Sequence, residues 1–234
     1  DGKIIKRYTR ANTQSRLPSD FILCFCKLSD DEILIGTSAG IVLFSKKEGH
    51  FTPWAAEIHS MTRQIYKSTN GDIWIATSSG AYRYSKKGKM IAHYTANRQH
   101  SQTIGDNNIT SIFEDSKGRI WIATVYGFSL YNPTTGSFNR ITVENGLPSN
   151  IVHRILEDDD HLFWIATANG LVRFNPETYV MKTYSYTNGL PEAQFNYCSA
   201  YKAPDGTMYM GTIDGMIAFN PHDFKEDSYS PSLH

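Results

Sequence analysis

Residues 109–141 read ITSIFEDSKGRIWIATVYGFSLYNPTTGSFNRI. Four short apolar runs lie in this stretch, each closed by turn residues. Residues 109–113 precede the turn at 115–118, and 120–124 precede 125–127. Residues 128–131 precede the Asn-Pro turn at 132–136, and 137–141 end the unit. Runs of this length, rich in β-branched and aromatic residues and bounded by Gly, Asn, Asp and Pro, read as strands in consecutive hairpins. Four such strands make one antiparallel sheet, and the rest of the chain repeats it.

The second strands of five repeats align as ILIGT (33–37), IWIAT (73–77), IWIAT (120–124), FWIAT (163–167) and MYMGT (208–212). Their central residues are Leu34, Trp74, Trp121, Trp164 and Tyr209, spaced by 40, 47, 43 and 45 residues. Two residues separate each terminal Thr from a Gly: Gly40, Gly80, Gly127, Gly170 and Gly215. A period of this size with four strands per unit predicts an all-β fold, a β-propeller of four-stranded antiparallel blades. A second strand lies inside its sheet, with a neighbouring blade on each face. That accounts for runs that are apolar on both faces, and it predicts equivalent buried positions for the three Trp and Tyr209.

Counting back from the central aromatic puts the first strands in columns. One column is Ile22, Thr62, Ile109, Val152 and Tyr197. The next is Leu23, Arg63, Thr110, His153 and Cys198, and the third is Cys24, Gln64, Ser111, Arg154 and Ser199. The second and third vary most in polarity and fall near one mouth of the central channel. The links NGLPSN (145–150), NGLPEAQFN (188–196) and the weaker RLPSD (16–20) share that face with the T-x-x-G turns.

The expected repeats span about 17–57, 58–98, 105–143, 146–186 and 189–222. The fifth has three strands, followed by a polar tail at 223–234. The segment KIIKRYT (3–9) matches the outer strands MIAHYT (90–95), FNRIT (138–142) and VMKTYS (180–185). Residues 1–10 are therefore expected to supply an outer strand. It would pair with 216–220 within one molecule, closing a five-bladed ring, or from a second copy in a homodimer. The competing arrangement is an arc of a larger propeller, and the sequence reads as a piece of a longer protein.

Lys+Arg and Asp+Glu each number 23, so the formal net charge is zero. A nucleic-acid binder would show a basic excess. No apolar run approaches the roughly 18 residues of a membrane span, and no signal peptide opens the sequence. Cys24, Cys26 and Cys198 give neither a disulfide framework nor a CxxC motif, and are expected as buried free thiols.

Glu114-Asp115 and the run Glu157-Asp158-Asp159-Asp160 lack the spaced pattern of a calcium loop and read as solvated turns. The eight His show no metal spacing. No nucleophile elbow, Walker motif or dinucleotide fingerprint is present, so no catalytic residue, metal or cofactor is assigned. The rim is more suggestive. Tyr126, Asn169 and Asp214 occupy the T-x-x-G turns just before Gly, with Arg63, Gln64, His153 and Arg154 just below. Amides, carboxylates and guanidinium groups beside aromatic faces suit the hydroxyls of an oligosaccharide, with Arg154 placed to meet an acidic sugar.

The combination NGLPSN…ILEDDDHLFWIATANGLVRFNPET…F resembles the regulator-propeller repeats of hybrid two-component sensors of the Bacteroides type. That repeat has the form GLP-S-N, I-x-E-D, L-W-I-x-T, G-L-x-x-F-N-P. Residues 145–175 match it almost throughout and 108–133 nearly as well, whereas ILIGT of the first repeat lacks the Trp. The resemblance implies a periplasmic sensor segment, normally in seven-bladed rings. In the parent chain it would be followed by a sandwich domain, a membrane helix, a histidine kinase and a DNA-binding regulator. The fragment itself would then be no enzyme. It would bind a glycan-derived ligand or transmit such binding, contacting neither nucleic acid nor membrane. Two alternatives stand beside it: a propeller lyase with His153 as a metal-assisted base, and a purely structural interaction propeller.

Overall fold

The computed structural model describes residues 6–14, 16–97, 99–185, 190 and 194–224, with the side chain of Cys198 outside the description. Blade one comprises β1 (Ile22–Lys27), β2 (Glu32–Thr37), β3 (Gly40–Ser45) and β4 (His50–Pro53). Blade two comprises β5 (Thr62–Lys67), β6 (Ile73–Thr77), β7 (Gly80–Tyr84) and β8 (Met90–Tyr94). Blade three holds β9 (Ile109–Glu114), β10 (Ile120–Thr124), β11 (Phe128–Tyr131) and β12 (Phe138–Ile141). Blade four holds β13 (Val152–Glu157), β14 (Phe163–Thr167), β15 (Gly170–Phe174) and β16 (Met181–Tyr184). Blade five has three strands among the described residues: β17 (Phe195–Lys202), β18 (Met208–Thr212) and β19 (Gly215–Phe219). Each blade is an antiparallel meander, and the chain is a five-bladed β-propeller. The helical content of the described residues is two 3-10 turns, Val143–Asn145 and Pro221–Asp223.

The T-x-x-G signature is a hydrogen-bonded device. In blade three the Thr124 hydroxyl donates to the Gly127 carbonyl at 3.0 Å and accepts from the Tyr126 N–H at 2.9 Å. Thr37, Thr77 and Thr167 donate in the same way to Gly40, Gly80 and Gly170. Gly127 has φ of 78°, and a Cβ there would stand 2.2 Å from the Ile141 carbonyl oxygen. At Gly80 a Cβ would meet the Tyr94 carbonyl oxygen at 2.4 Å. The turn thus presses against the end of its own outer strand, and glycine alone fits.

The core lies between blades. Trp74 packs among Ile112, Ile120, Tyr131 and Phe138 of blade three. Trp121 packs among Ile155, Phe163 and Phe174 of blade four, and Trp164 among Phe195, Met208 and Met210 of blade five. Burying one indole stabilises by up to about 4–6 kcal/mol, as an upper figure. Tyr209 departs from the expected equivalence. It is only partly buried, because among the described residues no further blade covers its side of blade five. Phe25 of blade one and Met216 of blade five are likewise exposed.

Residues 1–5 lie outside the described residues, and 6–9 form no strand. Tyr8 meets Phe44 and Phe51 of blade one, at 5.2 Å between ring centroids in each case. Tyr94 meets Tyr131 and Phe138 of blade three at 5.4 and 5.1 Å. Tyr8 therefore stands to blade one as Tyr94 does to blade three. The expected partner of 3–9, residues 216–220, overlaps β19, which pairs with β18 alone among the described residues. Cys24 and Cys26 form no disulfide among the described residues; Cys24 is only partly buried, contrary to expectation, whereas Cys26 is buried, and burial pushes its thiol pKa up.

The acidic pairs are not solvated turns. Asp115 and Asp158 are 4% and 5% exposed. Asp158 accepts from the Trp164 indole N–H at 2.7 Å and from the Asp160 and Leu162 amides at 3.0 and 2.9 Å. Asp115 accepts from the Trp121 indole at 2.9 Å, from Arg119 at 2.6 Å and from two hairpin amides. The preceding glutamates link blades. Glu114 accepts from the amide and hydroxyl of Thr69 in blade two, and Glu157 from those of Ser116 in blade three. In blade five the polarity reverses, with Lys202 donating to Asp159 at 2.6 Å.

Replacing Asp158 by Ala removes three hydrogen bonds to a buried carboxylate and strands an indole donor. Urea unfolding should show a loss of about 1.5–3 kcal/mol, whereas exposed Asp160→Ala should change little. Equal effects of the two substitutions would mean that the carboxylate–indole contact contributes nothing.

Candidate functional site

Two regions on the propeller gather polar and aromatic side chains. The first is the channel mouth. The first strands of blades one, two and four bulge at the second column: pairing with the second strand skips between Ile22 and Cys24, Thr62 and Gln64, and Val152 and Arg154. An analogous skip occurs in blade three near Thr110. The bulge re-aims the residue it contains, and it places Arg63 and His153 toward the axis. There both meet Tyr197 of blade five. The Arg63 guanidinium lies 5.5 Å from the Tyr197 ring centroid, and the His153 ring meets it edge-on at 4.6 Å.

Tyr197 arrives by an irregularity that column counting conceals. Phe195, not Tyr197, pairs with Thr212 and fills the buried position of Val152. The bulge of β17 is longer than those of the other blades, so Tyr197 swings into the channel. The sequence signal for it is Phe195, the apolar residue two places upstream, which a count back from Tyr209 passes over.

His153 is 6% exposed, and its Nδ1 is buried without a hydrogen-bond partner. Burial lowers its pKa from the ordinary histidine value. Arg154 is half-buried and engaged within the fold. Gln64 is committed to the scaffold: it donates to the Ile112 carbonyl at 3.0 Å and accepts from the Ile112 amide at 2.8 Å, joining blades two and three. Thr110 likewise donates to the Val152 carbonyl. Among the described residues no group of three His, Cys, Asp or Glu side chains is disposed to hold a metal ion.

The second region lies away from the axis, around Tyr126. A hollow of about 470 Å³ is lined by Asn97, Gly105, Asp106, Tyr126 and Arg140. A neighbouring hollow of about 650 Å³ shares Tyr126 and Arg140 and reaches Gln102 and Glu144. The remaining expected residues stand apart from both. Asn169 donates to the Pro148 carbonyl at 3.3 Å, fixing its turn to the 145–150 link, and Asp214 is exposed on the turn of blade five. The seven expected residues therefore do not form one site: Arg63 and His153 meet at the axis, and Tyr126 belongs to a different hollow.

Residues 103–126 and 146–169 match the family model described as two component regulator propeller. The matched stretches contain the first two strands of blades three and four. No curated protein matches the sequence. Among solved structures, the chain is similar to the extracellular domain of the putative hybrid two component system BT3049 from B. thetaiotaomicron. Identity is 23% and the TM-score 0.75, covering 86% of this chain and 28% of that one. The corresponding domain of BT4673 from the same organism gives 19% identity and a TM-score of 0.79, covering 94% and 32%. Virginiamycin B lyase from Staphylococcus aureus is similar at 15% identity and a TM-score of 0.59, covering 86% and 70%. At these identities the likeness is one of fold, and the chain spans about a third of the two extracellular domains.

The His153 environment has a measurable consequence. The folded chain keeps this imidazole neutral to lower pH than the unfolded chain does. As pH falls through about 6.5 the unfolded chain therefore takes up a proton that the folded chain refuses, and stability declines. His153→Phe should flatten part of the decline in unfolding free energy between pH 7 and the folded pKa. An unchanged pH profile in the variant would show that His153 is not held neutral.

Proposed function

We propose that this chain is part of the extracytoplasmic, periplasmic sensor region of a hybrid two-component signalling protein. It binds an oligosaccharide, and further domains of the parent protein, a sandwich domain and a histidine kinase, read out its occupancy. The observation that carries this reading is the match of blades three and four to the two component regulator propeller family. The fold shared with two extracellular domains of putative hybrid two component systems supports it. A non-enzymatic role is supported by what the repeat's polar residues do: Asp115, Asp158, Glu114, Glu157 and the turn threonines are all engaged in holding blades together.

One observation favours a second reading. His153 is a buried imidazole with a partnerless Nδ1 beside Arg63 and Tyr197, and the fold is shared with a lyase. Such an imidazole is a candidate general base. Calorimetry against a panel of oligosaccharides, with and without divalent cations and with product analysis by mass spectrometry, separates the two. The sensor reading expects saturable binding without turnover and without metal dependence. Turnover that disappears in His153→Ala would overturn it in favour of the lyase.

A further inference from the structure

The hollow around Tyr126 is built differently from the other turns. In blades one to four the residue at this position donates its backbone N–H to the turn threonine, and the Ser79 and Asn169 side chains also tie their turns to the Ser60 hydroxyl and the Pro148 carbonyl. The equivalent residues are Ala39, Ser79, Asn169 and Asp214. Tyr126 alone is aromatic, and it is 41% exposed. Its ring stacks on no other ring among the described residues.

The frame around that ring is fixed. Residues 99–106, with Asn97 before them, belong to the longest of the inter-repeat spacings, 47 residues, and are pinned at several points. Ile104 is fully buried. The Asn97 amide donates to the Thr103 hydroxyl at 3.0 Å, and the Phe138 amide donates to the Gln102 carbonyl at 2.8 Å. A Cβ at Gly105 would stand 1.9 Å from the Tyr126 carbonyl oxygen, so the loop seats directly on the turn. Arg140 donates through Nη2 to the Thr103 and Ile104 carbonyls at 3.0 and 3.4 Å. It forms no ion pair among the described residues, although Asp106 and Glu144 line the same hollows.

We propose that these adjoining hollows are the ligand site of the sensor, and that they take an oligosaccharide containing a uronic acid. The inference rests on the sensor reading above and names its site and ligand class. The C–H face of a pyranose is apolar with a positive edge, complementary to the negative face of the Tyr126 ring. The uronate carboxylate meets the Arg140 guanidinium, whose Nη1 donates in none of the hydrogen bonds above and which forms no carboxylate pair among the described residues. Asn97 and Asp106 on one side, and Gln102 and Glu144 on the other, present acceptors and donors for sugar hydroxyls.

The test titrates the chain with di- to hexasaccharides containing galacturonate or glucuronate, with neutral galactose and glucose oligomers and an acidic peptide as comparisons. Calorimetry gives affinity, and saturation-transfer NMR reports the sugar protons in contact. The site predicts binding of a uronate oligomer that weakens about tenfold or more in Tyr126→Ala and is retained in Tyr126→Phe. Arg140→Gln should reduce uronate binding more than neutral-sugar binding, with circular dichroism and melting checked against the parent. Uronate binding that persists in Tyr126→Ala but is lost in Arg63→Ala would move the site to the channel mouth and overturn this proposal while the sensor reading stands. No binding of any oligosaccharide overturns both, and equal binding of the acidic peptide overturns the ligand class.

Discussion

In blades three and four a tryptophan in the middle of the sheet ends at a carboxylate that is itself buried. The indole must be inside, because its faces form the contact between one blade and the next, and a buried N–H without an acceptor is costly. Asp115 and Asp158 supply that acceptor from the first hairpin, and hairpin amides complete their hydrogen bonding. The turn is thereby fixed by the same group that satisfies the core. Each adjacent glutamate then reaches the hairpin of the preceding blade. The acidic pair performs both jobs, one within the blade and one between blades.

This division explains which parts of the fold were legible in the sequence. Tryptophan, Thr and Gly recur at fixed spacing because each has one geometric task, so five blades and their second strands could be counted directly. The acidic pairs looked like solvated turns because a carboxylate in a hairpin is ordinarily exposed, and nothing local says that an indole six residues on points back at it. The Tyr209 burial was over-read because a repeat does not announce whether a neighbour covers its face. Tyr197 was misplaced because an extra pair of residues in one bulge shifts the column without disturbing the strand after it.

The candidate site was less legible for the same reason. Polar residues near the axis looked available, yet Gln64 bridges two blades and Arg154 is engaged within the fold. What distinguishes a surface position is that the fold makes no demand on its side chain. Tyr126 meets that condition, since the fold uses its backbone N–H, whereas Ser79 and Asn169 at the same turn position also hydrogen-bond through their side chains. Side chains there can change from blade to blade without disturbing the sheets, and Tyr126 is the departure that carries apolar surface into solvent.

The central structural claim is that buried carboxylates hold the second-strand indoles in place. Hydrogen exchange of the indole N–H groups, followed by heteronuclear NMR, tests it directly. The account predicts that the Trp121 and Trp164 indole protons exchange only with global unfolding, while the indole proton of Trp54, which is only partly buried, exchanges faster. Fast exchange at Trp121 and Trp164 under conditions where the sheets remain protected would contradict it.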